Sequence, residues 1–94
     1  QAAAAVAHQR RLRDEAAAVR PRAAQIEAEA RRALARGGEW SARQVLARGL
    51  STLEARAQLD REIEGSRRAI AGLLATLVRA ENRAWGLRPP ARLR

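Results

Sequence analysis

The chain has 94 residues and a net charge of +9, with 19 arginines, no lysine, no cysteine and one histidine. This length allows one small domain, and the lack of cysteine excludes a disulfide framework and a zinc–thiolate site. One histidine cannot build a metal or catalytic cluster alone. The charge indicates an acidic partner such as nucleic acid, and a solvated, arginine-rich helix surface accounts for it equally well.

Helix-forming residues dominate the chain before Trp85, because alanine, leucine, arginine, glutamate and glutamine are the commonest types there. The sequence predicts an all-α fold in which residues 1–85 form an antiparallel helical hairpin that assembles into an oligomer. Alanine is too small to fill a deep core, so the helices are expected to gain burial from partners. Residues 86–94 are expected to form an extended basic tail.

The first predicted helix runs from about Ala3 to Ala35 and carries a regular apolar stripe. Its members are spaced alternately four and three residues apart: Leu12, Ala16, Val19, Ala23, Ile26, Ala30 and Ala33 with Leu34. This is the heptad seam of one helix packed on another, and its alanines permit close approach of the backbones. We expect Pro21 to kink this helix without a loop, since the stripe keeps its phase, and Gly37-Gly38 to end it.

A second helical segment is expected to begin near Ser41, a residue type that favours the N-cap. It carries two apolar stripes that differ in direction by roughly 140°. These stripes are Leu46, Leu50, Leu53 and Ala57, and then Leu59, Ile63, Ile70, Leu73, Leu74 and Leu77. The segment therefore either breaks or buries its halves against different neighbours. The candidate break points are Gly49, followed by a possible capping box at 51–54, and Gly65-Ser66.

The sequence contains no pattern of catalytic side chains. Neighbouring carboxylates such as Asp14 and Glu15 point to different faces of a helix. Gly37-Gly38 lacks the Lys-Ser/Thr that completes a phosphate-binding loop. We therefore expect a protein that is not an enzyme and needs no cofactor or metal. A helix-turn-helix over residues 45–58 is a weaker alternative, because Gln58 would stand at a buried apolar position.

Arginines are concentrated in the first half of the first helix. The candidate DNA-binding residues are Arg10, Arg11, Arg13, Arg20 and Arg22. No aromatic side chain that could stack on a base lies among them, so contact would be made to backbone phosphates and would weaken steeply with salt. His8 is expected to have no role or to contact phosphate.

The end of the chain carries the most specific pattern. It is Trp85-Gly86-Leu87-Arg88-Pro89-Pro90-Ala91-Arg92-Leu93-Arg94. This resembles the terminal signature of a family of phage small terminase subunits, roughly aromatic-Gly-Leu-Thr-Pro-Ser-(Ala/Ser)-Arg-x-Arg after a long amphipathic helix. Arg88 and Pro90 replace the usual threonine and serine, and the family's Asn-Pro element between the helices is missing. Arginine- and alanine-rich chains of this type resemble the small terminases of gene transfer agents.

The resemblance implies a cytoplasmic, non-enzymatic DNA-packaging adaptor. Such subunits form rings through antiparallel helical hairpins, bind double-stranded DNA and deliver it to the large terminase subunit, an ATPase and nuclease. The residues expected to dock the large subunit are Trp85, Leu87, Pro89, Arg92 and Arg94. Those expected to pack the hairpin and the oligomer are Leu12, Val19, Ile26, Leu34, Leu46, Ile70, Leu74 and Leu77.

Two other functions compete with this one. A periplasmic helical-hairpin chaperone or sensor domain, acting as a dimer, would suit the antiparallel helices and a processed start at Gln1. A membrane-surface adaptor would need bulky apolar residues on one helix face, and the first helix offers mostly alanine there. We therefore expect no membrane partner. A ring of many subunits would favour the terminase, and a dimer would favour the chaperone.

Overall fold

In a computed structural model, which describes residues 2–86, the chain forms three α-helices and the described residues contain no strand. Helix α1 spans Ala2–Ala35, α2 spans Glu39–Arg48 and α3 spans Leu50–Gly86. At 1.5 Å per residue, the 34 residues of α1 and the 37 of α3 are roughly 50 and 55 Å long. These long helices give the described chain its extents of 74 × 27 × 14 Å. The all-α prediction is confirmed.

Helices α2 and α3 follow one another along α1 in the opposite direction and so form a hairpin. Near the turn, Ala42 of α2 packs in one cluster with Ala33 of α1. Farther along, Asp60 of α3 forms an ion pair with Arg20 of α1. Residue numbers thus rise along one arm as they fall along the other, which is the predicted antiparallel arrangement.

The α1 face that contacts the other helices is the predicted alanine stripe. The buried residues of α1 are Gln9, Leu12, Ala16, Ala23, Ala30 and Ala33. Val19 and Ile26 lie half-buried between them. The apolar contacts form two small clusters, one around Leu59 of α3 and the other around Ala42 of α2. Because alanine brings little volume, no large side chain within residues 2–86 is completely enclosed.

Helix α1 ends in a glycine turn, as the sequence predicts. Gly37 has a φ of 77° and donates its N–H to the Leu34 carbonyl, while the N–H of Gly38 donates to the Ala33 carbonyl. These bonds form a Schellman motif, whose left-handed residue is most easily glycine. Gly38 then serves directly as the N-cap of α2. The predicted N-cap, Ser41, lies inside α2 because the turn is already complete.

The second helical segment breaks at Gly49, the first of the two candidate points. Gly49 is buried, and a Cβ there would lie 2.6 Å from the Ile26 side chain. Glycine therefore lets the bend between α2 and α3 approach α1 closely. Helix α3 begins directly after Gly49, one residue before the predicted cap at Ser51, and it runs through Gly65-Ser66 without interruption.

Helix α1 also continues through Pro21, which agrees with the expectation that no loop forms there. Ala16 and Ala23, on either side of it, both lie in the hairpin interior. The kink at Pro21 stays a prediction. Residues 87–94, which contain most of the predicted tail, lie outside the described part of the chain.

Candidate nucleic-acid interface

Positive charge exceeds negative charge on the described hairpin. Sixteen of the arginines and all ten carboxylates lie within residues 2–86, which leaves a surplus of six positive charges. The ion pairs are Arg20–Asp60, Arg43–Glu39, Arg56–Glu27, Arg67–Glu64 and Arg68–Glu64. The other described arginines form no ion pair within residues 2–86.

Two of these ion pairs join the arms of the hairpin. Arg56 donates two hydrogen bonds to Glu27, at 2.9 and 2.7 Å, and this contact lowers the pKa of Glu27 and raises that of Arg56. Arg20 donates to Asp60 at 2.7 Å in a more exposed position. Of the predicted DNA-binding residues, Arg20 is therefore already bound to a carboxylate of the same chain.

The five predicted DNA-binding arginines are all exposed but do not share one face. We take the contact face of α1 as heptad positions a and d, beginning with Gln9 as a. The arginines then occupy b (Arg10), c (Arg11), e (Arg13 and Arg20) and g (Arg22). Positions b and e lie on one side of the contact face, and c and g lie on the other. One straight DNA duplex could not contact the whole set.

Helix α3 places further arginines on the side of Arg10 and Arg13. Arg20 and Arg13 are seven residues apart on α1, and Asp60 and Arg67 are seven apart on α3, so each pair lies on one side of its helix. Because Arg20 meets Asp60, Arg13 and Arg67 take the equivalent places one heptad farther along. Two arginines thus stand where the neighbouring heptad has a salt bridge.

A polar contact inside the hairpin fixes this alignment. Gln9 is 8% exposed, and its amide, oriented to suit its neighbours, donates to Ser66 Oγ at 2.7 Å and accepts from Arg13 at 3.2 Å. A buried polar pair of this kind favours one register between two helices, since any shift would leave its groups unsatisfied. It also holds the Arg13 guanidinium beside the seam.

On α3, Glu64 orients the two arginines that follow Ser66. Arg67 donates to both carboxylate oxygens of Glu64, at 3.0 and 2.7 Å, and Arg68 donates to one of them at 3.0 Å. The two hydrogen bonds from Arg67, and then the one from Arg68, lower the pKa of Glu64 to about 2. Glu64 is therefore ionised at neutral pH and shared between two guanidinium groups.

We call the four residues Arg10, Arg13, Arg67 and Arg68 the arginine cluster. All four are exposed and lie within about one helical turn of the Gln9–Ser66 contact. Glu64 on α3 and Asp14, one turn from Arg10 on α1, offset only part of this charge, so the cluster keeps an excess of positive charge. Arg67 and Arg68 were not among the DNA-binding residues predicted from the sequence. The signal in the sequence was the spacing of seven residues between Asp60 and Arg67, which becomes informative once the register of the hairpin is known.

The residues predicted to pack the hairpin and the oligomer divide into two groups. Leu12 is buried, and Val19, Ile26 and Ile70 are half-buried. The exposed ones are Leu34, Leu46, Leu74 and Leu77, at 55%, 40%, 57% and 55%. These four take little part in the packing of a single chain. Near the turn, Ala33 and Ala42 occupy the seam, whereas Leu74 and Leu77 lie far from the turn, in the C-terminal part of α3, and are exposed there. Their role between copies stays a prediction.

The residues predicted to dock the large terminase lie mostly outside the described part. Trp85 lies near the end of α3 and is 44% exposed. Leu87, Pro89, Arg92 and Arg94 belong to residues 87–94.

Residues 2–86 hold no group of three histidine or carboxylate side chains that could bind a metal ion. None of the described helices combines the length and the apolar character that crossing a membrane requires. Compared with protein-family models, with curated proteins and with solved structures, the chain has no match.

Proposed function

We propose that this chain is a non-enzymatic adaptor that binds double-stranded DNA through its phosphates and associates with further copies of itself, as a small terminase subunit does. The arginine cluster is the observation that carries the proposal. Arg13 and Arg67 stand where the next heptad pairs Arg20 with Asp60. A carboxylate at position 67 would form a second salt bridge, with Arg13. The guanidinium groups of Arg13 and Arg67 instead suit an anion bound between the helices.

Phosphate is the anion that best fits this arrangement. A guanidinium group presents a planar set of N–H donors that matches phosphate oxygens, and it stays charged at every physiological pH. Gln9 and Glu64 already orient Arg13 and Arg67, so less side-chain freedom is lost on binding. Trp40 and Trp85 are the only tryptophan, tyrosine or phenylalanine residues, and neither lies beside the cluster, so stacking on bases would not contribute to binding.

In this proposal, several hairpins act together on one duplex. Weak phosphate contacts from each copy become strong when the copies are linked, because later contacts form at high effective concentration. The terminal pattern from Trp85 to Arg94, which resembles that of small terminases, would dock the large terminase subunit. Leu34 and Leu46, which are exposed on the single chain, are available for contacts between neighbouring hairpins.

The arginine cluster is tested by replacing one arginine from each helix. Arg13→Ala with Arg67→Ala should weaken binding to a 30-base-pair duplex by more than about tenfold at low salt. It should also reduce the slope of log affinity against log salt by about 2. The matched control removes the same charge from the other side of α1, through Arg22→Ala with Arg36→Ala. Fluorescence anisotropy over a salt series measures both variants.

An equal loss of DNA affinity in the two double variants would overturn the assignment of the cluster, because net charge alone would then explain binding.

The function itself is tested by light scattering with and without duplex DNA. A large oligomer that binds DNA supports the adaptor. A dimer indifferent to DNA at every salt concentration contradicts it and favours the hairpin chaperone.

A further inference from the structure

The contact face of α3 continues past the point where α1 begins. Its heptad positions are Arg56, Leu59, Ile63, Ser66, Ile70, Leu73, Leu77, Ala80 and Ala84, spaced alternately three and four residues apart. Leu59 is only 7% exposed where α1 covers it, whereas Leu73 is 37% and Leu77 55% exposed. The seam pattern therefore extends beyond the helix that covers its first half.

The register of the hairpin shows where that cover ends. Gln9 meets Ser66, so Ala2, seven residues earlier, lies level with Leu73, seven residues later. The following 13 residues of α3 extend roughly 20 Å farther. We call the face of α3 from Leu73 to Ala84 the tail surface; it belongs to helix α3 and is distinct from the predicted basic tail of residues 86–94. A shallow groove on it is lined by Leu74, Leu77, Val78, Ala80, Glu81 and Ala84.

We propose that the tail surface pairs in antiparallel orientation with the tail surface of a second copy of this chain. The proposal rests on the self-association that is part of the proposed function, and it names the surface responsible. The partner that fits the tail surface is another helix, because apolar residues spaced three and four apart form one continuous stripe that packs against a second helix. A second copy supplies a helix with the same repeat.

The sizes of the side chains favour the antiparallel orientation. When the tail surfaces of two copies are related by a two-fold axis near Val78, Leu73 of one copy lies opposite Ala84 of the other. Leu77 then lies opposite Ala80. Each large side chain then faces a small one. In a parallel pair, Leu77 would face Leu77 and Ala80 would face Ala80, so the packing would alternate between crowded and loose.

The hairpin itself uses the same combination of large and small side chains. Leu59 of α3 packs against Ala16 of α1 in an antiparallel pair of helices. The tail surface would repeat this geometry between two chains and would be a symmetric, isologous contact. By itself this contact closes a dimer, so a ring would need further contacts along the hairpins.

The test compares a charged substitution inside the tail surface with the same substitution on the outer side of α3. Leu77→Asp in the full chain should raise the dissociation constant of self-association by more than about tenfold. The control, Ala75→Asp, adds the same charge at an exposed position and should change it by less than about twofold. Analytical ultracentrifugation measures the association, and circular dichroism checks that both variants stay helical.

Cross-linking tests the orientation, since the chain has no cysteine of its own. In the antiparallel pair, a mixture of Leu77→Cys and Ala80→Cys chains should be joined by a short bismaleimide more than either variant alone. Preferential joining of identical variants would overturn the antiparallel register. An unchanged dissociation constant in Leu77→Asp, or a wild-type chain that is monomeric throughout, would overturn the pairing.

DNA binding, measured on the same variants, separates this proposal from the function. If Leu77→Asp keeps the wild-type association but DNA still binds, the tail pairing fails and the adaptor stands. If the tail surfaces pair as proposed but no duplex binds at any salt concentration, the proposed adaptor function is wrong and the pairing of the tail surfaces stands.

Discussion

The paired part of the hairpin and its open end use apolar residues in opposite ways. In the paired part, residues 9–66, the residues that bring the arms together are mostly alanines, with Gly49 at the bend. At the open end, residues 73–86 of α3, leucine and valine side chains are 37% to 57% exposed. The small residues thus lie inside the fold and several of the large ones lie on its surface.

This difference shows how a chain with little bulk can still form a defined hairpin. Alanine and glycine let two backbones approach closely, so dispersion contacts between the helices replace the volume of large side chains. The ion pair between Glu27 and Arg56 and the polar contact between Gln9 and Ser66 then fix the register. The leucines of the open end add little to this fold and are free to stabilise an assembly instead.

The largest effect is expected from shortening one leucine in each region. Leu59→Ala should lower the free energy of unfolding by about 3 kcal/mol, because Leu59 is nearly buried and its loss leaves a cavity beside Ala16. Leu77→Ala should change it by less than about 0.5 kcal/mol at concentrations where the chain is monomeric. Urea unfolding followed by circular dichroism measures both. Equal losses would contradict the contrast between the two regions.

Two glycine substitutions, at Gly49 in the paired part and at Gly72 just before the open end, should each have a smaller effect on stability, and the two effects should have opposite signs. Gly49→Ala places a Cβ against the Ile26 side chain, which should cost about 2 kcal/mol of stability through overpacking. Gly72→Ala meets open space in an exposed part of α3 and should stabilise the helix by about 0.5 to 1 kcal/mol. Thermal unfolding compares the two variants.

A second variant tests the cause that we give for Gly49. In an Ile26→Ala background, Gly49→Ala should cost clearly less, because the side chain that it meets has been removed. If the two substitutions were additive, the loss at Gly49 would have to come from the backbone and not from its contact with Ile26.

Local patterns in the sequence predicted the elements of the fold well. The steps of three and four residues identified the buried face of α1, and Gly37-Gly38 marked its end. The N-cap at Gly38 was missed, because a glycine that completes one helix end can also begin the next helix, and no side chain signals it. Local patterns did not distinguish Gly49 from Gly65-Ser66 as the break. What sets Gly49 apart is its close approach to Ile26, a residue distant in sequence, whereas a Cβ at Gly65 would meet nothing within 4 Å.

The candidate site was less predictable, because it depends on the register between two helices. Closeness in sequence grouped Arg10, Arg11 and Arg13, although α1 directs Arg11 to the other side of the hairpin. The relation of Arg13 to Arg67 follows only once Arg20 is known to meet Asp60. A heptad pattern identifies the faces of single helices, but it leaves open which residues face each other across them.

The smallest expected effect is on the stability of the fold at acid pH. It tests whether Glu27 and Glu64 stabilise different parts of the hairpin. The pKa of each is lowered by its arginine partners, that of Glu64 to about 2. A carboxyl group whose pKa is lower in the folded chain stabilises the fold above its unfolded pKa, and this contribution is lost as the pH falls toward the folded pKa. Stability should therefore fall between about pH 4.5 and pH 2.

Glu27→Gln and Glu64→Gln should each reduce this acid-induced loss, and Glu54→Gln, at an exposed carboxylate without an ion pair in residues 2–86, is the control for the loss of one negative charge. Glu27 joins α1 to α3, whereas Glu64 binds arginines of its own helix. Only Glu27→Gln should therefore weaken the contact between the arms, which hydrogen exchange at amides of α1 and α3 near the pair would detect. Faster exchange near Glu27 in Glu64→Gln would contradict this, because the two ion pairs would then be coupled through α3.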